Sequence, residues 1–199
     1  MNTTNTDTNN IIGITGRKRH GKDTLSDYLV ARHGYRKLSF AEPLKAICKT
    51  LFGLTDAQLY GDKKEEIDDY WNVSPRVLYQ YIGTDLLRTQ MGAIMPHMGD
   101  NLWVEIMHKT VMDILRETPT QRIVFADVRF ENEVAFVREL GGRMIRVVRG
   151  GGGGVNGVGG MRENDTHISE TQIDDLVVDI SIYNGGTPED MFCLLEEAL

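Results

Sequence analysis

The residues Gly16-Arg17-Lys18-Arg19-His20-Gly21-Lys22-Asp23-Thr24 concentrate the chemistry of this chain. They follow the pattern G-x-x-x-x-G-K, with aspartate where serine or threonine is usual and threonine one step later. Gly16 and Gly21 let backbone N–H groups approach an anion closely. Those N–H groups, and the positive end of a following helix, suit a chain of phosphates. Arg17, Lys18, His20 and Thr24 line the same loop. Lys22 supplies a point charge for the β- and γ-phosphates of such a chain. Asp23 offers a hard carboxylate oxygen, the ligand type preferred by Mg²⁺, directly or through water.

A loop of this kind works only between a strand and a helix. Ile11-Ile12-Gly13-Ile14-Thr15 reads as a buried strand, and Leu25, Tyr28 and Leu29 have helical spacing behind the loop. A second strand is expected over 35–40, and a helix over 41–52 with Pro43 in its first turn. The charged stretch 56–69 reads as solvent-facing. Ser74-Pro75 opens a helix that Gly83-Thr84-Asp85 interrupts, and a further helix covers 101–117. The strand 122–126 ends at Asp127. A helix over 132–140, strands over 144–148 and 177–182, and a helix begun by Thr187-Pro188 complete the chain. Strands alternating with helices imply an α/β fold with a mostly parallel sheet of about five strands, covered on both faces. Ligands then bind at the carboxyl ends of the strands.

A second block, Phe125-Ala126-Asp127-Val128-Arg129-Phe130-Glu131-Asn132-Glu133, closes a buried strand with a carboxylate. In a phosphate-loop protein that is a place for an Mg²⁺ ligand, although aspartate also ends strands as a turn former. Arg129 can grip a phosphate with both guanidinium arms, or pair with Glu131 or Glu133. Arg88 and Lys45 are further candidates for an anionic acceptor. The alternative for Arg88 is an ion pair with Asp85 on a solvated face. Among the aromatic residues, Tyr81 and Trp103 are assigned to the acceptor side, where one would stack on a base, though helical aromatics are usually core. Arg149 and Arg162 flank the segment 150–160, which holds 8 glycines in 11 residues. Arginines on such a flap close over transferring phosphates; the same glycines would also serve as a linker.

Bulk composition narrows the class. The 199 residues carry a net charge of −7, which argues against nucleic-acid binding and leaves the basic cluster at 17–22 as a small-anion site. The 2 cysteines lack metal spacing and read as free thiols of a cytoplasmic protein. Residues 1–10 read as a disordered polar tail, and no apolar run reaches membrane-spanning length.

On these blocks, together with Ser39-Phe40-Ala41-Glu42-Pro43-Leu44-Lys45, Gly83-Thr84-Asp85-Leu86-Leu87-Arg88, Gly141 to Arg149 and His167-Ile168-Ser169-Glu170-Thr171, the chain resembles the tailed-phage deoxynucleoside monophosphate kinases. The resemblance runs from Ile11 to Leu199. It implies one kinase domain over 11–199, three-layered α/β/α, with a helical substrate-binding insertion near 54–118 and a glycine-rich lid near 149–167. It implies transfer of the ATP γ-phosphoryl group to a deoxynucleoside 5′-monophosphate. Small nucleotides, rather than nucleic acid or membrane, are then the partners, and a homodimer is left open. In this scheme Lys22, Asp23, Asp127, Arg149 and Arg162 act on the transferring group, with Asp23 and Asp127 in the Mg²⁺ shell. Lys45, Arg88, Arg129, Tyr81 and Trp103 hold the acceptor. The alternatives are another small-acceptor kinase, of the phosphomevalonate type, and a nucleotide-binding regulator without transfer.

Overall fold

Strand β1, Ile11–Thr15, is buried at every position, as expected for the centre of a sheet covered on both faces. Around it stand β2 (Arg36–Leu38), β3 (Ile123–Phe125), β4 (Arg143–Arg149) and β5 (Ile180–Asn184), in the spatial order β2-β3-β1-β4-β5. All four pairings are parallel. The computed structural model describes residues 10–149 and 172–199. The tail 1–9 and the segment 150–171, which includes Arg162 and most of the expected lid, lie outside the described residues.

The chain divides into two compact units, Met1–Ser39 with Met112–Leu199, and Phe40–Val111. In the first unit, α1 (Lys22–His33) and α7 (Pro188–Ala198) share one face of the sheet. Ile12, Ile14, Leu25, Leu29, Val147, Ile182, Met191 and Leu195 form its core there. Tyr28 stacks on Phe192 at 4.0 Å between ring centroids. The other face takes α6 (Glu131–Glu139), whose Phe136 meets Phe125 edge-on at 5.8 Å. Three layers follow directly from β1 having no solvent face.

The last strand starts three residues later than its composition suggests. Arg146 Nη2 donates to the carbonyl oxygens of Ile173 and Leu176, and the Met144 N–H donates to the Asp179 carboxylate at 2.7 Å. These contacts hold 172–179 as a turn, so pairing with β4 begins only at Ile180.

The second unit is helical. It contains α2 (Glu42–Phe52), α3 (Asp56–Leu59), α4 (Pro75–Gln80) and the start of α5 (Leu102–Glu117). Two expectations fail here. The stretch 56–69 is not wholly solvent-facing: Leu59 is fully buried, and the Tyr79 hydroxyl donates to the Gln58 carbonyl at 2.5 Å. Gly83-Thr84-Asp85 does not interrupt the helix or cap a new one. The backbone continues from α4 through a π-helical stretch, Tyr81–Arg88. Gly83 permits this because a Cβ there would lie 2.4 Å from Leu44 Cδ2. The glycine serves close packing rather than a turn.

Candidate functional site

In a parallel sheet every strand ends on the same side. The loop 16–21 leaves that side after β1, Ser39 after β2, Asp127 after β3, Arg149 at the end of β4, and Asn184 at the end of β5. The backbone of the first loop is set by Gly16 at φ +142° and by Gly21, the left-handed N-cap of α1. No side chain caps that helix. By contrast, α7 is capped by Thr187, whose Oγ1 accepts from the Asp190 N–H at 3.3 Å. A helix start that lacks a side-chain acceptor is suited to an anionic ligand as its cap.

Lys22 Nζ donates to the carbonyls of Gly16 at 2.6 Å and Arg17 at 3.0 Å, so the ammonium is held over the loop. The loop apex is tied to its neighbours. Asn184 Nδ2 donates to the His20 carbonyl at 2.9 Å, His20 Nδ1 lies 3.2 Å from the Val147 carbonyl, and Arg149 Nη1 donates to the Arg19 carbonyl at 3.3 Å. Arg17 pairs with Asp174. Its hydrogen bond, and then its charge, hold the Asp174 carboxyl below its ordinary range against the opposing effect of burial. Lys18 and Thr24 are exposed. Asn184 and Asp174 were not legible as site residues, because they stand 164 and 157 positions from the loop residues they touch.

Asp23 is exposed, with its carboxylate 3.2 Å from Lys37 Nζ; the same ammonium meets Asp27 at 2.9 Å. Burial alone would lower the Lys37 pKa. The hydrogen bond that Lys37 donates to Asp27 and the charge of Asp23 outweigh it and raise the value. Lys37 is thus a cation beside the loop that sequence reading passed over as a strand residue. Asp127 Oδ2 accepts from the Ser39 hydroxyl at 2.8 Å, so the ends of β2 and β3 meet at this carboxylate. The following turn is braced by Glu133, which is buried and accepts from the Arg129 N–H at 2.8 Å and the Phe130 N–H at 3.3 Å.

In the helical unit, Arg88 is buried at 6% exposure within the π-helical stretch, not on the solvated face expected of a surface pair with Asp85. Single π turns recur at functional positions in helices. Lys45 Nζ lies 4.4 Å over the Tyr60 ring, and the Tyr60 hydroxyl donates to Glu42. That carboxylate pushes the phenol up to about 12. Trp103 is 5% exposed, and its indole N–H donates to the Gly83 carbonyl at 2.8 Å. It packs as a core residue, with little ring surface left for stacking on a base. Tyr81 is exposed.

His20 has a depressed pKa. Burial is the main cause, and the charges of Lys22, Arg17 and Arg149 add to it against the opposing Val147 hydrogen bond. The folded state therefore resists protonation that the unfolded chain accepts near 6.5. Stability is full above that pH and is lost as pH falls through the lower folded value. The melting temperature should drop between pH 7 and pH 5, and His20→Gln should flatten the upper part of that drop. Superimposable profiles for the two proteins would refute the assignment.

Known proteins share this chain's pattern along most of its length. The family model described as deoxynucleotide monophosphate kinase matches residues 48–194. A protein of Acanthamoeba polyphaga mimivirus, whose name provisionally assigns it the same activity, is 39% identical over 186 residues, 92% of each chain. The deoxynucleotide monophosphate kinase of Enterobacteria phage T4 is 30% identical over 138 residues, 69% of this chain and 49% of the phage protein. Among solved structures, a dephospho-CoA kinase from Campylobacter jejuni superposes with a TM-score of 0.51. It covers 96% of this chain and 97% of its own at 13% identity, a likeness of fold alone.

Proposed function

Because this chain belongs to the deoxynucleotide monophosphate kinase family, we propose a division of labour among the residues at the carboxyl edge of its sheet. The chain is a nucleoside monophosphate kinase, with a phosphoryl donor and a deoxynucleoside monophosphate as its substrates. In this reading the loop 16–21 and the uncapped start of α1 take the ATP phosphates, with Lys22 on the β- and γ-phosphates. Arg129 takes the acceptor phosphate. The reading is carried by one observation: loop, Lys22, Asp127 and the braced 127–130 turn all leave the same edge of one parallel sheet.

Both reactants are anions, so the barrier is largely repulsion and misalignment. Fixed N–H groups and cations reduce the first, and residues anchored at strand ends reduce the second. A side-chain base is not required, since a phosphate oxygen is already anionic near neutral pH. Among the described residues, no cluster of three or more His, Cys, Asp or Glu could hold a metal. Mg²⁺ is commonly bound by one or two carboxylates together with substrate phosphates and water. Asp127, oriented by Ser39, and Asp23, oriented by Lys37, are the carboxylates we assign to it. When bound, the ion neutralises charge on the donor phosphates. Arg149, already on the Arg19 carbonyl, is proposed to add a cation at the loop. Arg162 is proposed for the same role on the strength of the sequence alone. For Arg88 the support is local, its burial in a π-helical stretch, and we propose that it too meets the acceptor. No described helix is long and apolar enough to cross a membrane. Cys48 and Cys193 are free thiols, in keeping with a proposed cytoplasmic setting.

Steady-state kinetics of Arg129→Ala test this assignment. The KM for the best substrate among dAMP, dCMP, dGMP and dTMP should rise at least about tenfold, or about 1.4 kcal/mol, while the KM for ATP holds. Lysine should rescue in part, keeping the charge and losing the fork. Equal rises for both substrates would place Arg129 on the donor side and reject the division.

A further inference from the structure

We infer that Glu133 is a positioning residue for the transfer reaction: from inside α6 it sets the direction of the Asp127–Phe130 turn and so the reach of Arg129. The inference rests on the assignment of Arg129 to the acceptor phosphate.

Glutamate at the third position of a helix commonly reaches back to the N-cap N–H, on an exposed first turn. Glu133 departs from that habit in two respects. It accepts its shorter bond, 2.8 Å, from the N–H of Arg129, one residue before the N-cap, and its longer one, 3.3 Å, from the N–H of the N-cap Phe130. The residue is also 2% exposed, one of four buried polar or charged residues among those described. A buried carboxylate carries a desolvation cost that is offset only by well-directed donors. Two consecutive backbone N–H groups aimed at one oxygen fix the peptide planes on either side of Arg129.

What precedes and follows the turn is also fixed. The Val128 N–H donates to the Ile14 carbonyl at 3.1 Å, and Asp127 accepts from Ser39. Behind the turn, Val134, Phe136 and Val137 seat α6 in the core. Arg129 is therefore the link between a strand-anchored carboxylate and a core-anchored one. A guanidinium on a flexible turn would lose freedom on meeting a phosphate; one on a braced turn has lost much of it already. The cluster thus has a purpose that simple capping does not require, since capping needs neither burial nor the Arg129 contact.

The test compares Glu133→Gln, Glu133→Asp and Glu133→Ala, each alone and on the Arg129→Ala background, by KM for the best deoxynucleoside monophosphate and for ATP. Glutamine keeps an acceptor oxygen at the right reach and should stay within about threefold of wild type. Aspartate keeps the charge but falls one methylene short, so its monophosphate KM should rise several-fold, and that of alanine about tenfold or more. The KM for ATP should not move, and on the Arg129→Ala background no Glu133 change should raise the monophosphate KM further. Should alanine fail to fold, the order of glutamine and aspartate decides. If Glu133 variants leave the monophosphate KM unchanged, or raise both KM values alike, while Arg129→Ala remains selective, Glu133 is a structural cap and the inference falls. If Arg129→Ala itself is silent, the acceptor assignment fails, and this inference with it.

Discussion

Lys22→Ala should abolish useful transfer while the protein stays folded. The ammonium is half-buried and rests on two carbonyls of its own loop, at 2.6 and 3.0 Å, so truncation opens no core cavity. Circular dichroism and the melting temperature should change little. Catalysis is another matter. A charge-assisted contact contributes about 1.5–3 kcal/mol in the ground state. A preorganised donor facing charge that grows in the transition state is worth about 100–1,000-fold in kcat. Loss of about 100-fold or more in kcat is therefore expected, with a smaller rise in the KM for ATP. The Gly16 and Arg17 carbonyls strengthen the case, because they hold the lysine over the loop before any phosphate arrives. A folded Lys22→Ala protein with near-wild-type turnover would overturn the assignment of the loop.

Gly16→Ala should damage both stability and the donor site. The register pairs Thr15 with Arg146, which puts Gly16 beside Val147. A Cβ on Gly16 would lie 2.4 Å from the Val147 carbonyl oxygen, at a φ of +142° that L-residues rarely adopt. That oxygen belongs to a strand paired on both sides, with β1 and β5, and cannot withdraw. The loop must move instead. The strained backbone alone costs roughly 1–3 kcal/mol, and a loss of about 2 kcal/mol lowers the melting temperature by about 4–8 °C in a chain of this size. Moving the loop also disturbs His20, which shares the Val147 carbonyl. The KM for ATP should rise more than about tenfold, and that for the monophosphate less. A thermal melt and two substrate titrations decide the matter; an unshifted melt with normal ATP binding would mean that the loop tolerates the side chain.

Both predictions rest on residues whose proposed roles are legible in the chain itself. The reason is local. A phosphate loop needs a strand, two glycines, a lysine and a helix in immediate succession, and so writes its full signature in one place. The strand 123–125 and Asp127 were legible for a similar reason, an apolar run closed by a carboxylate. The parallel class of the sheet followed from alternating strands and helices. Where reading failed, the deciding contact was remote. Gly83 looks like a helix break until Leu44 is seen against it. Trp103 looks available for a base until its indole N–H is found on the Gly83 carbonyl. The last strand begins late because Arg146 holds the Ile173 and Leu176 carbonyls.

What the sequence determined by itself is the glycine-framed loop between a strand and a helix and the carboxylate at the end of β3, because short-range spacing and strand periodicity encode them; the kinase class rested on a family resemblance spread along the chain. Only the tertiary structure decided that Ser39 orients Asp127, that Lys37 meets Asp23, that Asn184 and Asp174 hold the loop, and that Glu133 braces Arg129. Ser39, Asn184 and Asp174 approach their partners from other strand ends or from a distant turn, and Lys37 reaches Asp23 across from β2. Their chemistry is ordinary, and pairing across the sheet is what brings them to one edge. Glu133 is close in sequence to Arg129, yet its burial depends on α6 packing against the sheet. A serine, a lysine or a glutamate carries no mark of its partner; the fold supplies that partner through strand order and register.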